Sequence, residues 1–470
     1  MTEETLEAIR PRVTELLQRP AMPGVVVAVA RDGHPIEHLV VGADAQGHPL
    51  APDSLFPVAS ITKLVTALCV LRLQDRGVLL YEDRLDAYLP DSAAARAGVT
   101  LRMLFTHTGG LQGMEEELAP WTRAFNWTVE SEAALRAAPE VSPGTRLSYS
   151  DVDYVLLAMV VERLTGRPFP VSCRELVLDP LGMEGYFAEE PPRPVAWIGD
   201  EPGPHTGTPI EWHNSAFFRS LCLPASGLIT TAADALALVR AFAGVPDDFL
   251  RPETRGAATC DQSGGLGGGL GAVNEPPEFP THPWGLGPEL GQRAQPIFAP
   301  SQASPESFGH AGSSGCVTWV DPSADVAWSI LGTRHIANWW GDPVLGEIGA
   351  GFRPDAPYTT PVSAPVCDYV EHFLPRLDEV WPGVAAHYPE VATLSYPTGD
   401  PNLLGSYSAH TLGQQTTFAG YESVRQGWIH FAGERCSQRF PGFMEGAAEE
   451  GRRAADEILA DLALSGTADA

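Results

Sequence analysis

The chain reads as an α+β protein, with β-rich segments near its start and around residue 325 and long helical patterns between them. Three observations predict this class. MPGVVVAVARDGHPIEHLVVGAD, beginning at Met22, sets two β-rich runs on either side of an Arg31-Asp32-Gly33 turn, which is a hairpin pattern. The apolar stretch that opens at Ser60 and runs to about Gly77 is long enough for a buried helix. FGHAGSSGCVTWVDP and DVAWSILGTR then supply two strands that meet around Asp321 to Asp325.

The remaining elements follow in order. Residues 2–18 form an amphipathic helix, with Leu6, Ile9, Val13 and Leu16 or Leu17 on one face. THTGGL, Thr106 to Leu111, reads as a helix-turn unit, and Val152 to Thr165 as a helix closed by Gly166. Residues 256–300 are rich in Gly and Pro and read as an irregular excursion. A helix near Asp342–Gly351 completes this part. Residues 353–366 carry four prolines without periodicity, as a linker does. Beyond it, CDYVEHFLPRLDEVWPGV reads as a helix interrupted near Pro375, GWIHFAGE as a short buried strand, and GFMEGAAEEGRRAADEILADLAL as a long helix. The expected organisation is therefore a domain over 1–352, a linker over 353–366 and a separate segment over 367–470.

Composition bounds the function. A net charge of −29 over 470 residues argues against nucleic acid and anionic membranes as partners. The seven cysteines, at 69, 173, 222, 260, 316, 367 and 436, include no CxxC pair and are odd in number. Free, mostly buried thiols in a reducing compartment are expected. The start, MTEETLEAIRPRVTELLQRP, has neither the basic opening nor the apolar core of an export signal. No run approaches the ~20 apolar residues of a membrane span. A cytoplasmic protein is the expectation.

The most informative residue is the one lysine. Arginine supplies the other basic side chains, and Lys63 stands alone in Ser60-Ile61-Thr62-Lys63. As solvated charges the two are interchangeable. As proton carriers they are not, because a guanidinium keeps its proton in any protein while an ammonium can lose it. A helical i,i+3 spacing puts Ser60 and Lys63 on one face, a turn apart. A serine at a helix start is also a common N-cap, so the spacing alone leaves two readings of Ser60.

Three triplets fall in order along the chain: Ser60-x-x-Lys63, Tyr149-Ser150-Asp151 and His310-Ala311-Gly312. Around them stand VASITKLVTALCVLRLQDRGVLLYEDRLDAYLP, LRMLFTHTGGL, PGTRLSYSDVDYVLLAMVVERLTG, ASGLITTAADAL and WGLG. Over about residues 5–350 the chain resembles the serine β-lactamase and penicillin-binding-protein family, in its class C, esterase and DD-peptidase branch. The resemblance implies an antiparallel sheet flanked by helices, with a helical subdomain. It implies Ser60 as nucleophile, with Lys63 and Tyr149 sharing the role of base. A cationic neighbour is expected to lower the pKa of Tyr149, and the two to titrate as one unit. The backbone N–H groups of Ser60 and Ser313 would form the oxyanion hole. Gly312 would let substrate approach the strand edge, and His310 would line the site, bind a carboxylate or polarise Tyr149. His107 in THTGG reads as a structural turn residue. No metal is implied, and no cofactor for hydrolysis.

Two positions depart from the family pattern. Asp151 stands where the family usually has Asn, and an ionised Asp only accepts hydrogen bonds. Beside Lys63 it favours the protonated amine and repels a substrate carbonyl oxygen. His310 replaces a lysine, which removes a permanent positive charge. Both changes point away from β-lactams and toward a small ester or amide as the substrate.

The tail has a different affinity. NLLGSYSAHTLGQQ, GWIHFAGERCS and FPGFMEGAAEEGRRAADEIL resemble the C-terminal end of flavin-containing amine oxidases, a small part of that fold. The resemblance implies Gly433, Glu434, Gly442, Glu445 and Gly446 as residues near a flavin. The dinucleotide-binding unit such an enzyme needs is not matched. Gly267-Gly268-Gly269-Leu270-Gly271-Ala272 matches G-x-G-x-x-G with Ala272 in the last position, but follows no strand and precedes no helix, so it reads as a flexible loop. FAD is not expected to bind the isolated chain. The tail is a structural appendage, half of a flavoprotein completed by a partner chain, or a relic of gene fusion. The leading reading is a serine hydrolase, or an acyltransferase through the same acyl-enzyme. Its rivals are a component of an amine oxidase-type oxidoreductase and a non-catalytic acyl-ligand sensor.

Overall fold

A computed structural model describes residues 6–18, 22–31, 34–113, 121–200, 205–269, 278–279, 281–291, 303–336 and 452–455. The chain divides into two compact units, Met1–Thr359 and Thr360–Ala470. In the second unit only residues 452–455 are described, and they are helical. The helix expected near Asp342–Gly351, the linker at 353–366 and the tail elements lie outside the described residues.

The first unit is built on a six-stranded antiparallel sheet. The strands in chain order are β1 (Gly24–Arg31), β2 (Glu37–Gly42), β3 (Phe56–Pro57), β4 (Leu147–Ser148), β5 (Ile229–Thr230), β6 (Gly268–Gly269), β7 (Glu278–Phe279), β8 (Glu289–Leu290), β9 (Phe308–Gly312), β10 (Cys316–Asp321) and β11 (Val326–Gly332). The sheet order is β2-β1-β11-β10-β9-β8, so the expected N-terminal hairpin and the late strands are one sheet. β1 pairs with β11 from Val25 opposite Gly332 to Arg31 opposite Val326.

The apolar run GVVVAVAR follows from this position. Side chains alternate across a strand, and both faces of β1 are covered. Val25, Val27 and Val29 join Leu6, Val13, Leu17, Trp319 and Trp328 under the N-terminal helix Arg10–Gln18. Val26, Ala28 and Ala30 enter the main core with the helix Thr62–Asp75 and the helix Ala232–Phe242. The helix Asp151–Thr165 packs on the Thr62–Asp75 helix, and the helices Leu101–Phe105 and Trp127–Arg136 pack on Asp151–Thr165 in turn, completing the α+β architecture.

Some local expectations differ from what is observed. The helix after Ser60 starts at Thr62, because Ala59–Ile61 form a 3₁₀ turn. THTGGL follows the helix Leu101–Phe105 and is itself the turn. Within the Gly-rich excursion, Gly268 and Gly269 are not a loop: they pair in parallel with Leu147 and Ser148. A Cβ on Gly268 would lie 1.8 Å from the Leu147 carbonyl oxygen. This glycine therefore serves a close strand contact, not a dinucleotide phosphate.

Candidate active site

The site forms where the 3₁₀ turn meets the end of β9. Val58 donates its N–H to the Leu228 carbonyl at 3.0 Å, and Thr62 Oγ1 accepts from Leu228 N–H at 3.0 Å. These bonds hold the turn on both sides of Ser60. Ala59 carries a φ of 45°, which costs a non-glycine residue about 1–2 kcal/mol. A Cβ on Gly312 would meet the Val58 carbonyl oxygen at 2.2 Å and the Ala59 Cβ at 3.2 Å. The Cβ position of Gly312 is thus filled by the turn that carries Ser60, which only a glycine lets β9 approach. Ser313 follows directly, so both backbone groups named for the oxyanion hole flank this junction. The Ser313 hydroxyl lies 3.4 Å from His213 Nε2, a contact that nothing in the sequence pattern signals.

Ser60 caps no helix: neither the 3₁₀ turn nor the helix after it has a side-chain cap. Its hydroxyl accepts from Lys63 Nζ at 3.1 Å. Lys63 is fully buried and also donates to Asp151 Oδ1 at 2.5 Å and to the Ala225 carbonyl at 3.2 Å. Tyr149 sits between β4 and the helix Asp151–Thr165, its N–H bonded to the Gly269 carbonyl at 3.1 Å. Its phenol is within hydrogen-bonding reach of Lys63 and Ser60. Lys63 Nζ stands 4.8 Å from the Tyr149 ring centroid. Lys63, one turn along the chain, and Tyr149, remote in sequence, thus converge on the Ser60 hydroxyl, with Asp151 behind the lysine.

The electrostatics run partly against expectation. Burial would push the Lys63 ammonium down, but Asp151 and then Tyr149 outweigh it and hold Lys63 above the usual lysine range. Tyr149 moves up, not down. Burial is the main cause, and Asp151 adds to it, while Lys63 opposes both. The expected depression fails because burial of the phenol, with Asp151 adding to it, outweighs the pull of Lys63. The resting site holds an ammonium, a carboxylate and a neutral phenol.

His310, on β9, is buried, with its ring centroid 6.2 Å from that of Tyr149 and 5.7 Å from that of Trp284. Burial, and secondly Lys63, push its pKa down to about 3, so it is neutral. Its Nδ1–H donates to the Ala311 carbonyl at 2.7 Å, which leaves Nε2 as the lone-pair nitrogen. In that state it offers an acceptor and no cation for a substrate carboxylate. His107 packs against Tyr149 with centroids 4.4 Å apart. Gly433, Glu434, Gly442, Glu445 and Gly446 lie outside the described residues. Among the described residues no cluster of His, Cys, Asp or Glu could hold a metal, and no helix is long and apolar enough to cross a membrane.

A serine hydroxyl bonded to a buried lysine, with a tyrosine phenol against both, is the working set of a serine hydrolase. The comparisons with known proteins agree. The Beta-lactamase family matches residues 9–338, and the chain belongs to that family. Esterase EstB of Burkholderia gladioli is 30% identical over 313 residues, which are 58% of this chain and 76% of that protein. D-alanyl-D-alanine-carboxypeptidase/endopeptidase AmpH of Escherichia coli (strain K12) is 31% identical over 169 residues, 33% of this chain and 43% of that enzyme. The solved structure of EstCE1, a hydrolase with promiscuous acyltransferase activity, shares the fold with a TM-score of 0.58 at 20% identity, covering 71% of this chain and 94% of that one. The chain is a serine hydrolase of the esterase and peptidase kind. The Flavin containing amine oxidoreductase family matches residues 361–459, a weaker likeness confined to the tail.

Proposed function

We propose that the protein cleaves a small ester or amide through an acyl-enzyme on Ser60. The observation that carries this is the 3.1 Å contact between Ser60 Oγ and Lys63 Nζ, backed by the 2.5 Å contact of the same nitrogen with Asp151. A serine hydroxyl needs a base within reach, and a charged ammonium is not one. Asp151 supplies the missing acceptor. As Lys63 passes a proton to Asp151, its nitrogen is freed to take the proton of Ser60. The serine oxygen then bonds to the acyl carbon, with the carbonyl oxygen lodged between the backbone N–H groups of Ser60 and Ser313. The neutral phenol of Tyr149 protonates the departing alkoxide or amine and recovers its proton from Lys63. Water, or another hydroxyl or amine, enters the same way and releases the acyl group. Hydrolysis and acyl transfer differ only in that second nucleophile.

The substrate class follows from charge. A carboxylate at Asp151 faces the side where an acyl-amide oxygen would bind, and neutral His310 offers no cation. Simple esters and small amides suit this site better than β-lactams. The test is intact mass after incubation with a panel of activated esters and β-lactams, with ester turnover measured alongside. One acyl adduct per chain is expected, absent in Ser60→Ala, whose turnover should fall at least ~10³-fold. A Ser60→Ala protein that keeps most of its activity would sink the assignment.

A further inference from the structure

His107 and Asp153 stand behind Tyr149, and neither belongs to the set just described. His107 holds the Tyr149 segment at three points. Its carbonyl accepts the Ser148 N–H at 2.7 Å. Its Nδ1 accepts the Ser150 N–H at 3.2 Å. Its ring lies 4.4 Å from the tyrosine ring between them. The residue needs a φ of 55° to do this, a strained conformation for a side chain of its size.

The same Nδ1 also lies 2.9 Å from Asp153 Oδ2. The Ser150 contact points to one placement of the protons. A backbone N–H can only donate, and it finds an acceptor in a lone pair on Nδ1. A carboxylate oxygen 2.9 Å from a lone-pair nitrogen repels it unless the oxygen bears a hydrogen. An Asp153 that donates as a carboxylic acid meets both contacts. Its other oxygen, Oδ1, is buried without a hydrogen-bond partner among the described residues, and so is His107 Nε2. An ionised pair would leave part of each charge unmet in a dry site, which a neutral pair avoids. The surroundings favour neutrality too. Burial and then Lys63, His310 and His282 hold His107 well below the ordinary imidazole range. Burial raises Asp153 well above the carboxylate range, Asp151 adding to it and Lys63 opposing. The rings of Tyr149, Tyr154 and Trp284 fill the rest of the His107 surface.

We propose that His107 is a positioning residue for Tyr149, acting as a neutral imidazole whose single Nδ1 lone pair is shared between the Ser150 N–H and the carboxylic acid of Asp153. The inference rests on the reading that Tyr149 works on Ser60. The arrangement is the reverse of an ionised Asp–His pair, in which the imidazole donates and the carboxylate accepts.

The reversal makes the test sharp. In an ionised pair, changing Asp to Asn forces the wrong tautomer and costs on the order of 10⁴-fold in kcat. Here an Asn amide N–H can replace the acid O–H, whereas Leu can replace neither oxygen. Asp153→Leu should lower kcat at least tenfold at little change in KM, as a displaced catalytic group does, and Asp153→Asn should restore it to within about threefold of the parent. His107→Gln should likewise lower kcat and spare KM. In the full chain labelled with nitrogen-15 histidine, the His107 Nδ1 resonance should sit at the unprotonated position and stay there between about pH 5 and 8. An Asp153→Asn variant as impaired as Asp153→Leu, or an Nδ1 that carries a proton, overturns the proposal. The resonance is read whether or not the protein turns over an ester. A wrong nucleophile would therefore show in Ser60→Ala and leave the His107 signal as expected.

Discussion

Asp151→Asn tests the electrostatic frame of the site, because it keeps the shape of the side chain and one acceptor oxygen while removing the charge. Lys63 Nζ and Asp151 Oδ1 are 2.5 Å apart, and both side chains are buried. Without the carboxylate, Lys63 has two outcomes. It keeps its proton as an unpaired buried cation, at the cost of a broken buried pair, about 3–5 kcal/mol. Or it sheds the proton, and at neutral pH the gap from an ordinary lysine pKa of about 10.4 is roughly 3.4 units, or about 4.6 kcal/mol. The cheaper outcome sets the loss. Ser60 Oγ, the Ala225 carbonyl and the new amide oxygen still solvate the ammonium, which places the loss near the lower end, about 3 kcal/mol. For the unit Met1–Thr359, at about 2.1 cal/mol/K per residue, that is a fall in Tm of about 4 °C.

The pH dependence gives the stronger discrimination. The folded-state pKa of Lys63 is raised in the parent. Its contribution to stability is therefore complete below the unfolded value, about 10.4, and fades only as pH rises through the higher folded value. In the variant the folded value falls below the unfolded one, so the unfolded chain holds more protons and stability climbs with alkali. The gap between parent and variant should narrow as pH rises from neutrality toward about 10. Urea midpoints for both proteins across that range measure it. The same variant should acylate faster with β-lactams or other acyl-amides relative to simple esters, since the amide can donate to their carbonyl. A loss below about 0.5 kcal/mol that is equal at every pH would refute the ion pair and the substrate argument built on it.

The other expectations are simpler. Lys63→Arg should be nearly as damaging to p-nitrophenyl ester turnover as Lys63→Ala, since a guanidinium neither yields a proton nor fits a slot with no exposed surface. Retention of more than about a tenth of the activity, a loss under ~1.4 kcal/mol, would leave Lys63 a purely electrostatic role. Gly312→Ala should push β9 off the nucleophile turn, because its Cβ would sit 2.2 Å from the Val58 carbonyl oxygen; overpacking of that kind costs about 1–3 kcal/mol, and parent-like turnover and Tm would show that the junction has slack. The isolated chain should carry no flavin after gel filtration, any affinity being on the order of micromolar or poorer; near-stoichiometric flavin absorbance in the visible spectrum would promote the oxidoreductase reading of the tail.

Where single residues or short patterns carried the information, the sequence was legible. Strand β1 was legible because side-chain alternation on a twice-covered strand leaves an unbroken apolar run. The grouping of Ser60, Lys63 and Tyr149 was legible because each stands in a short motif of fixed spacing, and the structure brings the three side chains together. What stayed hidden depends on distances between groups remote in the chain. The direction of the Tyr149 shift could not be read from a nearby lysine, because it turns on how deeply the fold buries the phenol and on the carboxylate of Asp151 beside it. The Ala225 carbonyl on Lys63 and the His213 ring on Ser313 are contacts across 162 and 100 residues. Gly268 and Gly269 looked like a loop because two glycines carry no β pattern, and only their pairing with Leu147 and Ser148 makes them a strand.

The first turn of the helix Asp151–Thr165 shows how little of this is written in residue type. It holds two aspartates two positions apart, and side chains so spaced do not share a helix face. Asp151 looks onto an ammonium and Asp153 onto a lone-pair nitrogen that already takes a backbone N–H. Burial raises the cost of charge for both, but only Asp151 has a cation in contact to offset it. Each aspartate also disfavours ionisation of the other, so the one that meets the lysine takes the charge and the one that meets the histidine keeps its proton. On the proposed reading identical carboxyl groups thereby do opposite work: one accepts a proton from the base, and one donates a hydrogen bond that holds the tyrosine in line. Exchanging their surroundings would exchange their roles. Loss of the Lys63 charge should accordingly act on Asp153 as well. A Lys63→Met variant removes the cation that opposes burial at Asp153, so Asp153 should hold its proton to a higher pH than in the parent. The measurement is the carbonyl stretch of protonated carboxylic acids by infrared difference spectroscopy. One band, removed by Asp153→Asn, is expected in the parent, and in the variant it should persist to higher pH. No band in the parent would mean that Asp153 is ionised and that the two carboxyl groups are not divided in this way.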